Sequence, residues 1–144
     1  MGKVCVVTGG GSGMGLAAAK FMPKDRIIVV SGRTESKLTK AVEELKEAGF
    51  EAYAKSCDTS KRESVKALAE YAASLGEIIN VIHAAGVSPA MNVTMEDILR
   101  INALGTVYVN QEFAKLMHKG SVIIDIASMS AYAMPELMLP KKAY

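Results

Sequence analysis

Tryptophan is absent from the 144 residues, and cysteine and histidine occur only twice each. Cys5 and Cys57 show no metal-ligand spacing, so no metal is expected, and both read as reduced, buried small hydrophobes. An excess of one charge is also missing. Seventeen basic residues face fifteen acidic ones, a net +2, which gives no reason to expect a nucleic acid or other polyanion as partner. No apolar run approaches the roughly 18 residues of a membrane span, and no membrane association is expected. No basic leader with a cleavage site precedes the first apolar run, so secretion is unsupported and a cytoplasmic location is expected. Repeats, linkers and low-complexity tracts are missing too. What remains is half apolar and 22% charged, enough for one domain over residues 1–144 with a sizeable core.

The informative stretch is Thr8-Gly9-Gly10-Gly11-Ser12-Gly13-Met14-Gly15. An apolar run, Val4-Cys5-Val6-Val7, leads into it, and Leu16-Ala17-Ala18-Ala19-Lys20-Phe21 comes after. Strand, glycine turn and helix start are the parts of a phosphate-binding corner. Unpaired N–H groups and the partial positive charge of a helix N-terminus attract a pyrophosphate. Glycines allow the sharp turn and let the phosphates come close. The other common glycine loop, G-x-x-x-x-G-K-[ST], is excluded because no Lys-Ser or Lys-Thr follows. A G-x-G-x-x-A thread through Gly13, Gly15 and Ala18 leaves Thr8 and Gly9 unused. The spacing Thr-Gly-x-x-x-Gly-x-Gly, on Thr8, Gly9, Gly13 and Gly15, uses the whole stretch. In this it resembles the short-chain dehydrogenase/reductase family, classical type.

Strands and helices alternate from there. Arg26–Val30 is a β-branched run suited to a buried parallel strand. A helix capped by Thr34 and ended by Gly49 follows, then a weakly alternating edge-like strand over 51–57. Ser60-Lys61-Arg62-Glu63 reads as a capping box for a helix that Gly76 ends. Ile78–His83 is a fourth strand and Ser121–Ile126 a fifth. Between them Thr94-x-x-Asp97 caps a helical stretch that should run to Gly120. It should face Ile98, Ile101, Leu104, Val107 and Tyr108 inward, with a break near Gly105. The expected fold is an α/β, Rossmann-like doubly wound parallel sheet of order 3-2-1-4-5, three layers deep and incomplete on its C-terminal side.

Ligands of such sheets bind beyond the carboxyl ends of the strands. Where an NAD site would place an acid after the second strand, this chain has Gly32 and then Arg33. A guanidinium clamps a 2′-phosphate, so NADP(H) is favoured and NAD(H) remains possible. Gly11, Ser12 and Met14 join the corner residues as cofactor contacts. The remaining assignments come from the resemblance. It implies that Asp58 meets the adenine, although Asp58-Thr59-Ser60 is also an ordinary loop-orienting sequence. His83-Ala84-Ala85-Gly86 stands where the family has Asn-Asn-Ala-Gly, with Ala85 and Gly86 beside the cofactor. His83 reads as a buried residue satisfying backbone groups rather than a catalyst. Asn102 and Ser128 match the asparagine and serine of the catalytic group, with Ser130 competing for the serine's place.

The resemblance also requires Tyr-x-x-x-Lys after that serine. Tyr132 comes too soon, Tyr144 is the last residue, and Lys141 and Lys142 precede it. The expectation is therefore the N-terminal, cofactor-binding part of a longer dehydrogenase acting on a small alcohol or ketone. Such a piece would bind cofactor weakly at best and catalyse nothing. The segment Ala131–Pro140, apolar and methionine-rich, is either a lengthened substrate-side loop or surface that further chain would cover. A homo-oligomer is implied by the likeness of 103–117 to the family's dimer-forming helix. The rival reading is a nucleotide-binding regulatory or scaffold protein that kept the fold and lost the chemistry.

Overall fold

The computed structural model describes residues 1–129. Strand β1, Lys3–Thr8, is buried along all of its length after Lys3. Its neighbours are β2 (Arg26–Gly32) and β4 (Glu77–His83), with β3 (Glu51–Ser56) and β5 (Val122–Asp125) outside them. Every pairing is parallel, in the order β3-β2-β1-β4-β5.

The continuous apolar runs of β1 and β2 make sense because both faces of the sheet are covered. Val4, Val6 and Val29 pack with Val65, Leu68 and Ala72 of α3 (Arg62–Leu75) and with Val109 and Phe113 of α5 (Gly105–Ala114). On the opposite face Cys5, Val7, Ile28 and Val30 meet Ala19 of α1 (Gly13–Lys20) and Leu38, Ala41 and Leu45 of α2 (Glu35–Glu47). Burial pushes the Cys5 thiol up to about 12 and raises that of Cys57 as well, so both stay protonated. Gly49, at φ +86°, supplies the left-handed residue after α2.

Three local expectations are corrected. The box at Ser60 does not form: α3 begins at Arg62, behind Lys61 and without a side-chain cap. Ser60 is occupied elsewhere, donating its N–H and Oγ–H to Asp58 Oδ1 at 3.0 and 2.7 Å. The second correction concerns the stretch after Thr94. Its box is present, with Asp97 N–H donating to Thr94 Oγ1 and Asp97 Oδ2 accepting from Thr94 N–H. The helix, however, is α4 (Met95–Ile98), a π-turn (Leu99–Leu104) and then α5. The wider turn rotates α5 relative to α4, so the inward face is Ile101, Gly105, Val109 and Phe113. Leu104 and Val107 are 45% and 44% exposed. Gly105 does mark the break, and its bare Cα lies against Thr59. Third, α5 ends at Ala114 rather than Gly120.

Candidate cofactor and active site

At the carboxyl end of β1 the chain turns sharply through the glycines. Gly9 has φ +65°, and a Cβ there would lie 2.8 Å from the backbone of Ala84 and Ala85. Gly15 is tighter still, because its Cβ would stand 2.4 Å from the Gly9 carbonyl oxygen. Leu16 N–H is the first amide of α1 to reach back, to Ser12 C=O at 3.3 Å. The amides of Gly13, Met14 and Gly15 are left as the donors of a helix N-terminus. A Cβ on Gly13 (φ +57°) would meet nothing within 4 Å.

A cavity of about 230 Å³ opens in front of this corner. Thr8, Gly9, Ser12, Met14 and Gly15 line it from β1 and α1, Arg33 from the end of β2, and Asp58 from the end of β3. Ala85 and Gly86, after β4, complete it. Gly11 and Gly13 do not line it; Gly11 packs on Lys37 and Leu38 of α2. Ser31, 1% exposed, also borders the cavity, and its Oγ has no hydrogen-bond partner among the described residues. An orphaned hydroxyl beside Arg33, glycines too crowded for side chains, and free helix amides suit a phosphorylated ribonucleoside. Asp58 Oδ1 is held by Ser60, so this carboxylate orients its own loop as well as bordering the cavity.

A second, larger cavity of about 570 Å³ adjoins the first, sharing Met14 and residues 84–87. Asn102, Thr106, Asp125 and Ser128 line it. Asn102 clamps the loop after β4: its Oδ1 accepts Val87 N–H at 2.9 Å and its Nδ2 donates to Val87 C=O at 2.7 Å. The structure thus brings Asn102 and Ser128 to one cavity. Ser130, Tyr132, Lys141, Lys142 and Tyr144 lie outside the described residues.

His83 corrects another expectation. It is 3% exposed, but its partners are side chains, not backbone groups. Nδ1 is 2.7 Å from Thr8 Oγ1 and Nε2 is 3.1 Å from Thr106 Oγ1. Burial lowers the imidazole's pKa, and the neighbouring Asp125 carboxylate opposes that only in part.

A family profile described as short chain dehydrogenase matches residues 3–139. The chain belongs to the short-chain dehydrogenase family. Among its relatives is "Short-chain dehydrogenase/reductase bsc3" of Alternaria brassicicola, 30% identical over 136 residues, covering 94% of this chain and 49% of the relative. Among solved structures, a short-chain dehydrogenase/reductase from Burkholderia phymatum in complex with NAD superposes with a TM-score of 0.79 at 28% identity. That match covers 93% of this chain and 52% of the other. Actinorhodin polyketide ketoreductase with NADPH (an F189W variant) gives a TM-score of 0.77 at 26% identity, covering 89% of this chain and 54% of the other. The chain thus spans about half the length of the relatives it matches.

Within this member of the family, sequence reasoning missed Thr106 and Ser31. Thr106 looks like any helical threonine until the π-turn aims it at His83. Ser31 carries a weak signal, a lone hydroxyl ending an apolar strand. No helix among the described residues is long and apolar enough to cross a membrane.

Proposed function

We propose that this chain is the cofactor-binding half of an NADP(H)-preferring oxidoreductase that interconverts a small alcohol and its carbonyl compound. One observation carries the reading: the free amides of α1, Arg33 and Asp58 converge on one cavity at the carboxyl ends of three adjacent strands. The solved neighbours with NAD or NADPH support the choice of a nicotinamide cofactor.

Gly9, Ser12, Met14 and Gly15 hold the pyrophosphate, with Gly11 and Gly13 giving the loop its shape and Thr8 fixing the corner through Ala85. Arg33 clamps the 2′-phosphate and Asp58 meets the adenine. Ala85 and Gly86 leave room on the ribose side. Bound there, the nicotinamide supplies or accepts the hydride. Ser128 hydrogen-bonds the substrate oxygen in the second cavity, while Asn102 fixes the cavity wall through Val87. No Tyr-x-x-x-Lys pattern occurs in the 144 residues, so we expect this chain to bind cofactor without turning it over.

Calorimetric titration with NADPH and NADH tests this. Saturable binding of NADPH, roughly tenfold or more tighter than NADH, is the expected result. Equal affinity would remove the NADP preference, and no binding of either would sink the reading. Nucleotide binding that survives in a longer form of the protein still lacking Tyr-x-x-x-Lys would favour the scaffold alternative.

A further inference from the structure

We infer that His83 is a positioning residue, locking the pyrophosphate corner to the Asn102 turn through one oriented chain of hydrogen bonds. The inference rests on the cofactor reading above.

The orientation follows from the ends of the chain. Ala85 N–H donates to Thr8 Oγ1 at 3.2 Å, and Thr106 Oγ1–H donates to the Asn102 carbonyl at 2.8 Å. Thr106 has then spent its only hydrogen, so at 3.1 Å it accepts from His83 Nε2–H. A neutral imidazole with the proton on Nε2 has a lone pair on Nδ1. That lone pair accepts Thr8 Oγ1–H at 2.7 Å. One tautomer satisfies all four contacts, and each hydroxyl both donates and accepts.

The setting explains why a histidine is useful there. Ser31, Thr8, His83 and Asp125 are register partners across β2, β1, β4 and β5. They continue, at the ligand end, the same face that Val29, Val6 and Val81 fill with apolar contacts toward α3 and α5. The imidazole spans the gap between that row and α5, which neither threonine could cross alone. Gly105 N–H reaches back five residues to Arg100 C=O, the widened ring of the π-turn, and Thr106 comes directly after it. His83 therefore ties the wall of the first cavity, at Thr8 and Ala85, to the residue that clamps Val87 in the second.

The test compares His83→Leu, which removes both bonds, with His83→Asn and His83→Gln. Asparagine places an amide near the position of Nδ1, and glutamine near that of Nε2. Each is measured by calorimetry with NADPH and with adenosine 2′-monophosphate, which carries only the Arg33 and Asp58 side of the cofactor. We expect His83→Leu to weaken NADPH roughly tenfold and leave the mononucleotide unchanged, with the two amide variants in between. In the wild type, ¹⁵N resonances of the two histidines, His83 and His118, should show His83 protonated on Nε2 alone. This readout stands even where a variant fails to fold. A proton on Nδ1, or an equal loss for both ligands, overturns the inference. Wild-type protein that binds NADPH, with His83→Leu indistinguishable from it, overturns this inference alone. Wild-type protein that binds neither ligand overturns the cofactor reading and this inference with it.

Discussion

Gly15 stands third in α1, where alanine is ordinarily the better helix former by about 1 kcal/mol. Propensity alone therefore predicts that Gly15→Ala stabilises the protein. Packing predicts the reverse. The new Cβ would sit 2.4 Å from Gly9 O, 2.8 Å from Gly9 C and 3.2 Å from Gly10 N, all of them backbone atoms. Restoring an ordinary 3.4 Å contact means opening the loop by about 1 Å. Gly9 has little room to retreat, since its own Cα abuts the backbone of Ala84 and Ala85. Gly10 is fastened by its N–H to Ser31 C=O at 3.1 Å. Overpacking costs about 1–3 kcal/mol, and backbone neighbours with no room to retreat put this site toward the upper end, about 2–3 kcal/mol; less the propensity gain of about 1 kcal/mol, a net loss of about 1–2 kcal/mol remains. For a domain of this size that lowers Tm by roughly 3–8 °C.

Binding should suffer more than stability does. Opening the loop by that distance moves the α1 amides out of hydrogen-bonding reach of a phosphate seated against them. Losing one or two charge-assisted bonds weakens NADPH by roughly ten- to a hundredfold. Circular dichroism melts and calorimetric titration read the two effects separately. Gly32→Ala is the control for the melts, because its Cβ would meet only the Leu38 side chain, at 3.6 Å. A Gly15→Ala protein that melts at or above the wild-type temperature and binds NADPH equally well would refute the steric argument.

Other expectations rest on single groups. Arg33→Ala should weaken NADPH roughly tenfold or more and leave NADH unchanged; equal losses in titrations of the two would show that Arg33 does not read the 2′-phosphate. Glu112 is 5% exposed and accepts bonds of 2.7 Å from both Lys115 and Arg62, which hold its carboxyl below the usual 4.5. Its contribution is present above that pH and is lost as the pH falls through the lowered value. Glu112→Gln should thus be less stable than wild type at pH 7, with the gap closing as the pH falls below 4.5 in denaturant titrations; a constant gap would exclude the ion pairs as its cause. Cys5 and Cys57, buried with raised pKa values, should resist a thiol-reactive dye at mildly alkaline pH until the protein is unfolded. Rapid labelling of the folded protein would place at least one of them at the surface.

The features that the sequence discloses and those that it hides divide along a physical line. The strand order and the β1–α1 corner are legible because their signals are local. Apolar runs buried on both faces declare parallel strands, and glycine spacing declares a turn that only a bare backbone can make. Capping is legible in part: Thr94 and Ser60 both head boxes of the right spacing, yet only Thr94 forms one. Ser60 faces a competing acceptor, Asp58, two residues away, and a spacing rule does not include competitors. The helix after Asp97 is misread by any pattern that holds to a constant 3.6 residues per turn. One π-turn adds a residue and rotates the remainder by about 100°, which exposes Leu104 and Val107 and turns Thr106 toward His83. That rotation makes the hydrogen-bond chain possible. Thr8 and His83 are 75 residues apart, and His83 and Thr106 are 23 apart. No local pattern carries such pairings; sheet register brings the first together and the π-turn the second. Each of those residues taken singly looks like a common polar position. Their joint dependence gives a sharper criterion than any one contact: a substitution that restores a regular α-helical phase through 99–104 should break the His83–Thr106 bond without touching either residue.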